Sequence, residues 1–160
     1  MQVTEIKRKF RARFWALIHL RKAGFKGSDL FDMYKIFVRP IIEFCSTVYH
    51  SLLTLTQSEE LERLQKQAVK LAYSWEDSYA TLCETHSIST LSQRRKEAVD
   101  RLVKKTIQNE RIAGWYPIRE HMDYNIRGRR IYYETCARTT RYYNSPLSLM
   151  RRRANDMLTA

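Results

Sequence analysis

The sequence predicts an all-α fold: a helical bundle of about four to five helices with a Pro-kinked central helix, followed by a weakly structured C-terminal extension. Apolar residues recur at spacings of three and four over roughly the first 110 residues, which is the period of an amphipathic helix. Ser and Thr stand where several of these helices are expected to begin. No long stretch alternates with the two-residue period of a strand, and the chain contains only 4 Gly.

The first helix is predicted over residues 5–23, with Thr4 as its cap and Gly24 as a left-handed residue that ends it. Its apolar face consists of Ile6, Phe10, Phe14 and Leu17. At about 100° per residue, the opposite face carries a basic and aromatic set. That set is Arg8, Arg11, Trp15, His19 and Lys22.

A long central helix is predicted next, beginning after Ser28 and continuing to about Leu52. Its inward stripe is expected to comprise Leu30, Met33, Tyr34, Phe37, Ile41, Phe44, Cys45, Val48 and Leu52. Pro40 interrupts this segment, and a proline in a helix interior costs roughly 3 kcal/mol. Because the stripe continues through Pro40, we expect the proline to bend one helix rather than to separate two.

Two further long helices follow. Thr56 and Glu59 form a predicted capping box, with Leu55 as a hydrophobic staple. The apolar stripe of this helix is Leu61, Leu64, Ala68, Leu71, Ala72 and Trp75, and its outer face is Arg63, Lys66, Lys70 and Tyr73. After a short helical segment near residues 78–88, Thr90 and Gln93 begin a helix over 91–109. The inward residues of that helix are Leu91, Ala98, Val99, Leu102 and Thr106.

The composition changes after residue 110, so we divide the chain into a bundle domain, 1–110, and a basic extension, 111–160. From residue 111 onward there are ten Arg, no Lys and six of the chain's 10 Tyr. Helical periodicity is weak there, which favours an extended or short-stranded segment. Ser145 and Pro146 then predict a cap and a first-turn proline that start a small terminal helix.

The charge balance favours an anionic partner. With 29 Lys and Arg against 17 Asp and Glu, the formal charge is +12, which suits nucleic acid or an acidic membrane surface, although the surplus is also compatible with mere solubility. There is no stretch of 18 apolar residues and no apolar signal-peptide core near the start. The 3 cysteines are widely spaced. We therefore expect an intracellular protein, nuclear or cytoplasmic, with no membrane partner.

Enzyme motifs are missing from the sequence. It contains no glycine-rich phosphate loop, no nucleophile elbow, no H-E-x-x-H and no carboxylate cluster suited to magnesium. Cys83 and His86 lie three residues apart, but a structural zinc site needs four ligands and no second pair is near. We predict no enzymatic activity, no cofactor and no metal.

Cationic and aromatic residues remain as the candidate site. The face of the first helix is suited to holding phosphates while the Trp15 indole stacks, and the tail segment "RGRRIYYETCARTTRYYN", with Arg129 and Arg130, mixes phosphate donors with stacking surfaces. The alternative is a solvated charged face with Trp15 packed against another helix. Arg95 falls within a buried stripe, where we expect a carboxylate partner such as Glu43 or, alternatively, a guanidinium that reaches the rim and meets a phosphate.

Three blocks in this order, "RFWALIHLRKAGFKGSDLFDMYKIFVRPIIEFCSTVYHS", "LERLQKQAVKLAY" and "LSQRRKEAVDRLVKK", resemble the region after the polymerase palm in reverse transcriptases of non-LTR retrotransposons, a class of transposable element. The closing "RYYNSPLSLMRRRAND" is similar to the carboxyl end of such reading frames. The family's aromatic-x-Asp-Asp motif is absent. The resemblance therefore implies the thumb domain and downstream region without a catalytic palm.

The same resemblance implies roles for particular residues. Arg39-Pro40 and Glu43 match the family's RP-x-x-E element, Gln65 its LE-x-x-Q element, and Arg94-Arg95 its paired arginines. It implies a grip on the backbone of RNA, DNA or an RNA–DNA hybrid, with Arg94 among the contacting residues, and a bend at Pro40 that lets the central helix curve. It also implies contact with the polymerase palm region if the chain is part of a longer protein. A helical protein-interaction or scaffold module with incidental basic charge is the alternative function.

Overall fold

A computed structural model describes residues 2–119, 130–134 and 136–159, and these residues are predominantly α-helical, as predicted. The α-helices are α1 (Gln2–Lys22), α2 (Gly27–Met33), α3 (Arg39–Glu43), α4 (Ser46–Tyr49), α5 (Leu55–Ala72), α6 (Tyr79–Thr85), α7 (Leu91–Ile107), α8 (Thr140–Tyr143) and α9 (Pro146–Thr159). A π-helical turn occupies Tyr34–Val38, and 3-10 turns occupy His50–Leu52 and Glu110–Trp115. Within the described part of the chain, extended pairing is limited to one isolated bridge between Ile118 and Tyr132.

The chain forms two compact units. The first comprises Met1–Ser46 and Leu53–Arg94, and the second comprises Thr47–Leu52 and Arg95–Ala160. Residues 95–110, which the sequence assigns to the bundle, therefore pack with the C-terminal segment. A domain boundary at residue 110 stays a prediction.

In the first unit, α1 and α5 pack against each other and run parallel. Lys7 near the start of α1 pairs with Glu60 near the start of α5 at 3.2 Å, and Arg21 near the end of α1 donates to the carbonyls of Leu71 and Ala72 at the end of α5. The apolar faces of the two helices are buried between these two sets of polar contacts. Their buried residues include Ile6, Phe10, Leu17, Leu61, Leu64 and Ala68. Arg21 supplies donors to carbonyls that a helix end leaves unpaired.

The boundary predictions for α1 and α5 were partly wrong. Thr4 lies inside α1 rather than capping it, while Gly24 does end the helix with a left-handed φ of 103°. The capping box of α5 is formed by Thr54 and Gln57, two residues before the predicted pair, and both of its hydrogen bonds are present. Leu55 consequently begins the helix as an exposed residue and is not a staple. Trp75 lies beyond the end of α5 and is exposed, so it does not extend the buried stripe.

The predicted central helix does not continue to Leu52. The chain is helical from Gly27 to Glu43, but Phe44 has a ψ of 125° and Cys45 a left-handed φ of 52°, and these values interrupt the helix before Ser46. Pro40 is the second residue of α3, directly after the π turn, in which the Arg39 amide bonds the Tyr34 carbonyl five residues back. Proline is tolerated in the first turn of a helical segment because an amide donor is not required there.

The π turn also changes which residues face inward. Each π turn holds an extra residue, and the buried series becomes Leu30, Tyr34, Val38 and Ile42. Of the predicted inward stripe, Phe37, Phe44, Cys45, Val48 and Leu52 are instead exposed. These four residues lie four positions apart in the sequence. The 3.6-residue period of an ideal α-helix does not predict them as the inward face.

Described residues from both sides of residue 110 share one buried cluster in the second unit. Val99 and Val103 of α7 form a buried cluster with Tyr116, Met150 and Ala154. The Asn155 side chain of α9 accepts from the Tyr132 amide at 2.8 Å and donates to the Tyr132 carbonyl at 3.1 Å. The predicted start of the terminal helix at Pro146 is confirmed, and that helix is 14 residues long.

Candidate nucleic-acid interface

The predicted basic face of α1 is exposed along its length. Arg8, Arg11, Trp15, His19 and Lys22 are all exposed, and Trp15 retains 65% of its accessible surface. Its indole lies edge-on to the His19 ring, with the ring centroids 3.9 Å apart. The expectation that Trp15 packs against another helix is therefore wrong, because an indole so exposed leaves most of its surface in water.

One acidic residue modifies this face. The Arg8 guanidinium donates to both carboxylate oxygens of Glu5, at 2.9 and 2.7 Å, and this hydrogen bonding lowers the pKa of Glu5 to about 2. Both side chains are exposed, so water screens the pair. The Glu5 carboxylate thus offsets part of the Arg8 charge.

The outer face of α5 mixes both signs of charge. Arg63 and Lys66 line a shallow depression of about 250 Å³ together with Glu59, Glu62 and Tyr79. Lys70 is half-buried, and its ammonium donates to the carbonyl of Trp75 at 2.9 Å. Fewer cations on this face than on the α1 face are therefore free of a nearby carboxylate or carbonyl. The α5 face accordingly offers fewer cations to an anion.

Glu43 has arginine partners on two helices. Arg94 of α7 donates to both of its carboxylate oxygens, and Arg39 lies one turn earlier with its Nε 3.7 Å from the carboxylate. All three side chains are partly buried. The residues of the RP-x-x-E element and the first of the paired arginines thus meet in one ion-pair cluster that ties α3 to the start of α7.

Arg95 is buried, with 2% of its surface exposed, so the alternative in which its guanidinium reaches the rim is wrong. Glu43, named above as an expected partner of Arg95, accepts hydrogen bonds from the adjacent Arg94. Within the second unit, the charge of Arg95 acts on His50. Burial lowers the pKa of His50, and the positive charges of Arg95, Lys96 and Arg153 lower it further.

Gln65 centres a polar network in the first unit that sequence reasoning did not identify. Its side-chain oxygen accepts from the Tyr34 hydroxyl at 3.2 Å, and its amide nitrogen donates to the Tyr79 hydroxyl and the Ser89 carbonyl at 2.9 and 3.0 Å. Glu62 accepts from Tyr79 at 2.7 Å and from the amide of Leu91, the first residue of α7, at 3.1 Å. Burial raises the pKa of both tyrosines, so they remain hydrogen-bond donors at neutral pH. The available signals were a Gln at an apolar helical position and the match of Gln65 to the LE-x-x-Q element.

The remaining basic candidates lie in the C-terminal segment. Arg130 is exposed and pairs with Glu134, whereas Arg129 lies outside the described residues. The second unit contains 15 Lys and Arg and 7 Asp and Glu, a surplus of +8 within the +12 of the whole chain. Most of the excess positive charge therefore belongs to this unit rather than to α1 and α5.

Exposed aromatic side chains accompany that charge. Trp115, Tyr133, Tyr142 and Tyr143 are each about half exposed, and the Arg152 guanidinium lies 3.7 Å from the centre of the Tyr143 ring. Arginines and exposed rings in one unit provide donors for phosphates and faces for bases. The residue types were visible in the sequence, but their exposure was not.

Within the described ranges, no group of three His, Cys, Asp or Glu side chains is arranged to hold a metal ion, and Cys83 is half-buried with a free thiol. Over the same residues, no helix has the length and apolar character needed to cross a membrane.

No family model matches the chain, and neither a curated protein nor a solved structure is detectably similar to it.

Proposed function

We propose that this chain is a non-catalytic, thumb-like module that binds the phosphate backbone of RNA, DNA or an RNA–DNA hybrid. The observation that carries the proposal is the exposed face of α1, where Arg8, Arg11 and Lys22 flank an indole that is 65% exposed. Cations hold phosphates, and an exposed ring adds a surface on which a base or sugar packs. The +8 surplus of the second unit supports the same class of partner.

A retroelement origin is the second part of the proposal, and it depends on the sequence blocks that resemble the reverse-transcriptase thumb. The ion-pair cluster of Arg39, Glu43 and Arg94 supports it, because these residues of two separate blocks meet in space. The chain contains no Asp-Asp pair, so a module of this kind would grip nucleic acid without polymerising it.

The proposal is tested by titrating labelled duplex DNA, RNA–DNA hybrid and single strands with the protein at several salt concentrations. We expect log K to fall linearly with log salt concentration, with a slope near −0.9 for each phosphate neutralised on duplex DNA. Little sequence preference is expected, since backbone contacts do not read bases. Binding weaker than about 0.1 mM even at low salt, below the usual range for non-specific binding, would contradict the proposal.

A helical protein-interaction module is the second candidate function, and an exposed apolar face favours it. Ile36 and Phe37 of the π turn and Phe44, directly after α3, are exposed by 62%, 55% and 68%. Large exposed apolar patches mark interaction sites. If the chain is part of a longer polymerase, the palm region is the natural partner for this face.

This second candidate predicts that changing Ile36, Phe37 and Phe44 to Ser abolishes binding to a separately expressed palm region. Leu55→Ser is the matched control, because Leu55 is even more exposed but lies at the start of α5. If the triple variant still binds the palm region as the unmodified protein does, this face is not the binding site. Nucleic-acid binding of both variants should match the unmodified protein.

A further inference from the structure

A small cleft of about 320 Å³ lies in the second unit, where α8 meets α9. Its lining residues are Leu52, Thr139, Arg141, Tyr142, Ser145 and Pro146. Ligand clefts typically span about 300–1,000 Å³, so this one suits a single small group rather than a large molecule.

Closely spaced helix caps and turns form the cleft. The Thr139 hydroxyl accepts from the Tyr142 amide at 3.3 Å and begins α8, and the Ser145 amide donates to the Tyr142 carbonyl at 3.0 Å. Pro146 then starts α9 immediately. Tyr142 and Pro146 are thereby fixed on either side of one turn, and Leu52, from the 3-10 turn that packs on α9, contributes to the lining.

The chemistry of the lining restricts what the cleft can hold. Leu52, Pro146 and the Tyr142 ring are apolar surfaces, and Tyr142 is 51% exposed. The hydroxyl of Ser145 is hydrogen-bonded to Ser148 at 3.0 Å, and that of Thr139 caps α8. Among the described residues, Arg141 is the one charged side chain of the lining. A flat aromatic group with an attached anion fits this set, and a nucleobase with its phosphate is such a group.

Tyr142 and its neighbour Tyr143 differ in a way that identifies the stacking residue. The Arg152 guanidinium covers a face of Tyr143 and donates to its carbonyl at 2.8 Å. In the part of the chain that the structure describes, no ring or cation packs on Tyr142. Tyr142, a lining residue of the cleft, therefore has an exposed ring with no packing partner among the described residues.

We propose that this cleft takes one unstacked base of single-stranded nucleic acid, with Tyr142 stacking on the base, Leu52 and Pro146 forming part of the cleft around it, and Arg141 contacting an adjacent phosphate. The inference rests on the proposed function and adds a preference for unpaired strands. A base inside a duplex is stacked on both faces and cannot enter such a cleft, whereas bases of single strands are available for aromatic platforms.

The test compares three ligands of equal length: a pyrimidine single strand, a strand of the same backbone charge with abasic sites, and a duplex. Tyr142→Ala should weaken binding of the single strand by at least about fivefold, the lower bound for loss of one base–aromatic stack. Binding of the abasic strand and of the duplex should stay unchanged. Tyr142→Phe keeps the ring and should bind like the unmodified protein.

Leu158→Ala is the matched control, since Leu158 is similarly exposed in the same unit but does not line the cleft. An equal loss for Leu158→Ala, an equal loss on the abasic strand, or no loss on the single strand would overturn the inference while leaving backbone binding intact. If the unmodified protein binds none of the three ligands, both this inference and the proposed function are wrong. Circular dichroism of each variant checks that α8 and α9 remain folded.

Discussion

Gln65 is a polar residue at a core position, and its three hydrogen bonds explain why it is there. Only 1% of Gln65 is exposed, and its side-chain amide forms hydrogen bonds with the hydroxyls of Tyr34 and Tyr79 and with the Ser89 carbonyl. A buried polar group is tolerated when all of its partners are satisfied, and it becomes costly when one partner is removed. At this position, hydrogen bonding therefore matters more than apolar burial.

Gln65→Leu is expected to lower the free energy of unfolding by about 2–4 kcal/mol, because it leaves the Tyr34 hydroxyl and the Ser89 carbonyl without their partner. Gln67→Leu is the matched control, since Gln67 is exposed on the same helix and its replacement should change stability by less than about 0.5 kcal/mol. Urea unfolding measures both. Equal effects of the two substitutions would show that the network contributes nothing beyond the helix itself.

Pro40 occupies a position that does not need an amide donor. Pro40→Ala should keep the fold and lower the free energy of unfolding by no more than about 1 kcal/mol, because this position needs no amide donor and the substitution acts mainly by giving the unfolded chain more freedom. Urea unfolding of the variant and the unmodified protein is the measurement. A loss of several kcal/mol would mean that packing of α3 requires the proline ring.

At the scale of helices, the outer faces of α1 and α5 differ in their surroundings. On α1 the Arg8 guanidinium pairs with Glu5, whereas on α5 the side chains of Arg63 and Lys66 share a depression with Glu59 and Glu62. Electrostatic attraction depends on the sum of nearby charges, so α1 should contribute more to phosphate binding. The two helices together provide a comparison within one unit.

Replacing Arg8, Arg11 and Lys22 with Gln should reduce the magnitude of the salt slope on duplex DNA by about 2.7, which is three contacts at roughly 0.9 each. Helicity should not change, since the three side chains are exposed. The control replaces Arg63, Lys66 and Lys70 with Gln, and we expect a smaller reduction. An unchanged slope for the α1 variant would mean that its face is only solvated and that phosphate contacts come from the second unit.

At the scale of the whole molecule, the C-terminal segment supplies part of the core for α7. Val99 and Val103 are fully buried against Tyr116, Met150 and Ala154. The segment after residue 110 thus has a packing role in addition to carrying most of its unit's arginines. A chain that ends at residue 110 would expose this side of α7 to water.

Truncation after residue 110 is expected to lower the free energy of unfolding by about 3 kcal/mol or more, because Val99 and Val103 each lose roughly 1.5 kcal/mol of apolar burial. Point variants in the full chain provide the control. Met150→Ala should destabilise by about 2–3 kcal/mol, whereas Leu147→Ala on the exposed side of α9 should have little effect. Unaltered stability of the truncated chain would support an independent domain over residues 1–110.

The sequence by itself determined the fold class, the long helices α1, α5 and α7, and the start of α9 at Pro146. These features depend on local periodicity and capping, which a few neighbouring residues define. The exposed basic face of α1 could also be predicted, because its position follows from the period of one helix. Local pattern was therefore sufficient wherever a single regular helix carried the information.

Only the tertiary structure decided the rest. The π turn at Tyr34–Val38 moved the buried series to Val38 and Ile42, and the break at Cys45 exposed Phe44. The Gln65 network, the pairing of Glu43 with Arg94 and the cleft beside Tyr142 join residues that are distant along the chain or separated by a turn. Such contacts depend on how helices pack against one another, and packing is set by the shape of the whole core rather than by the period of any one segment.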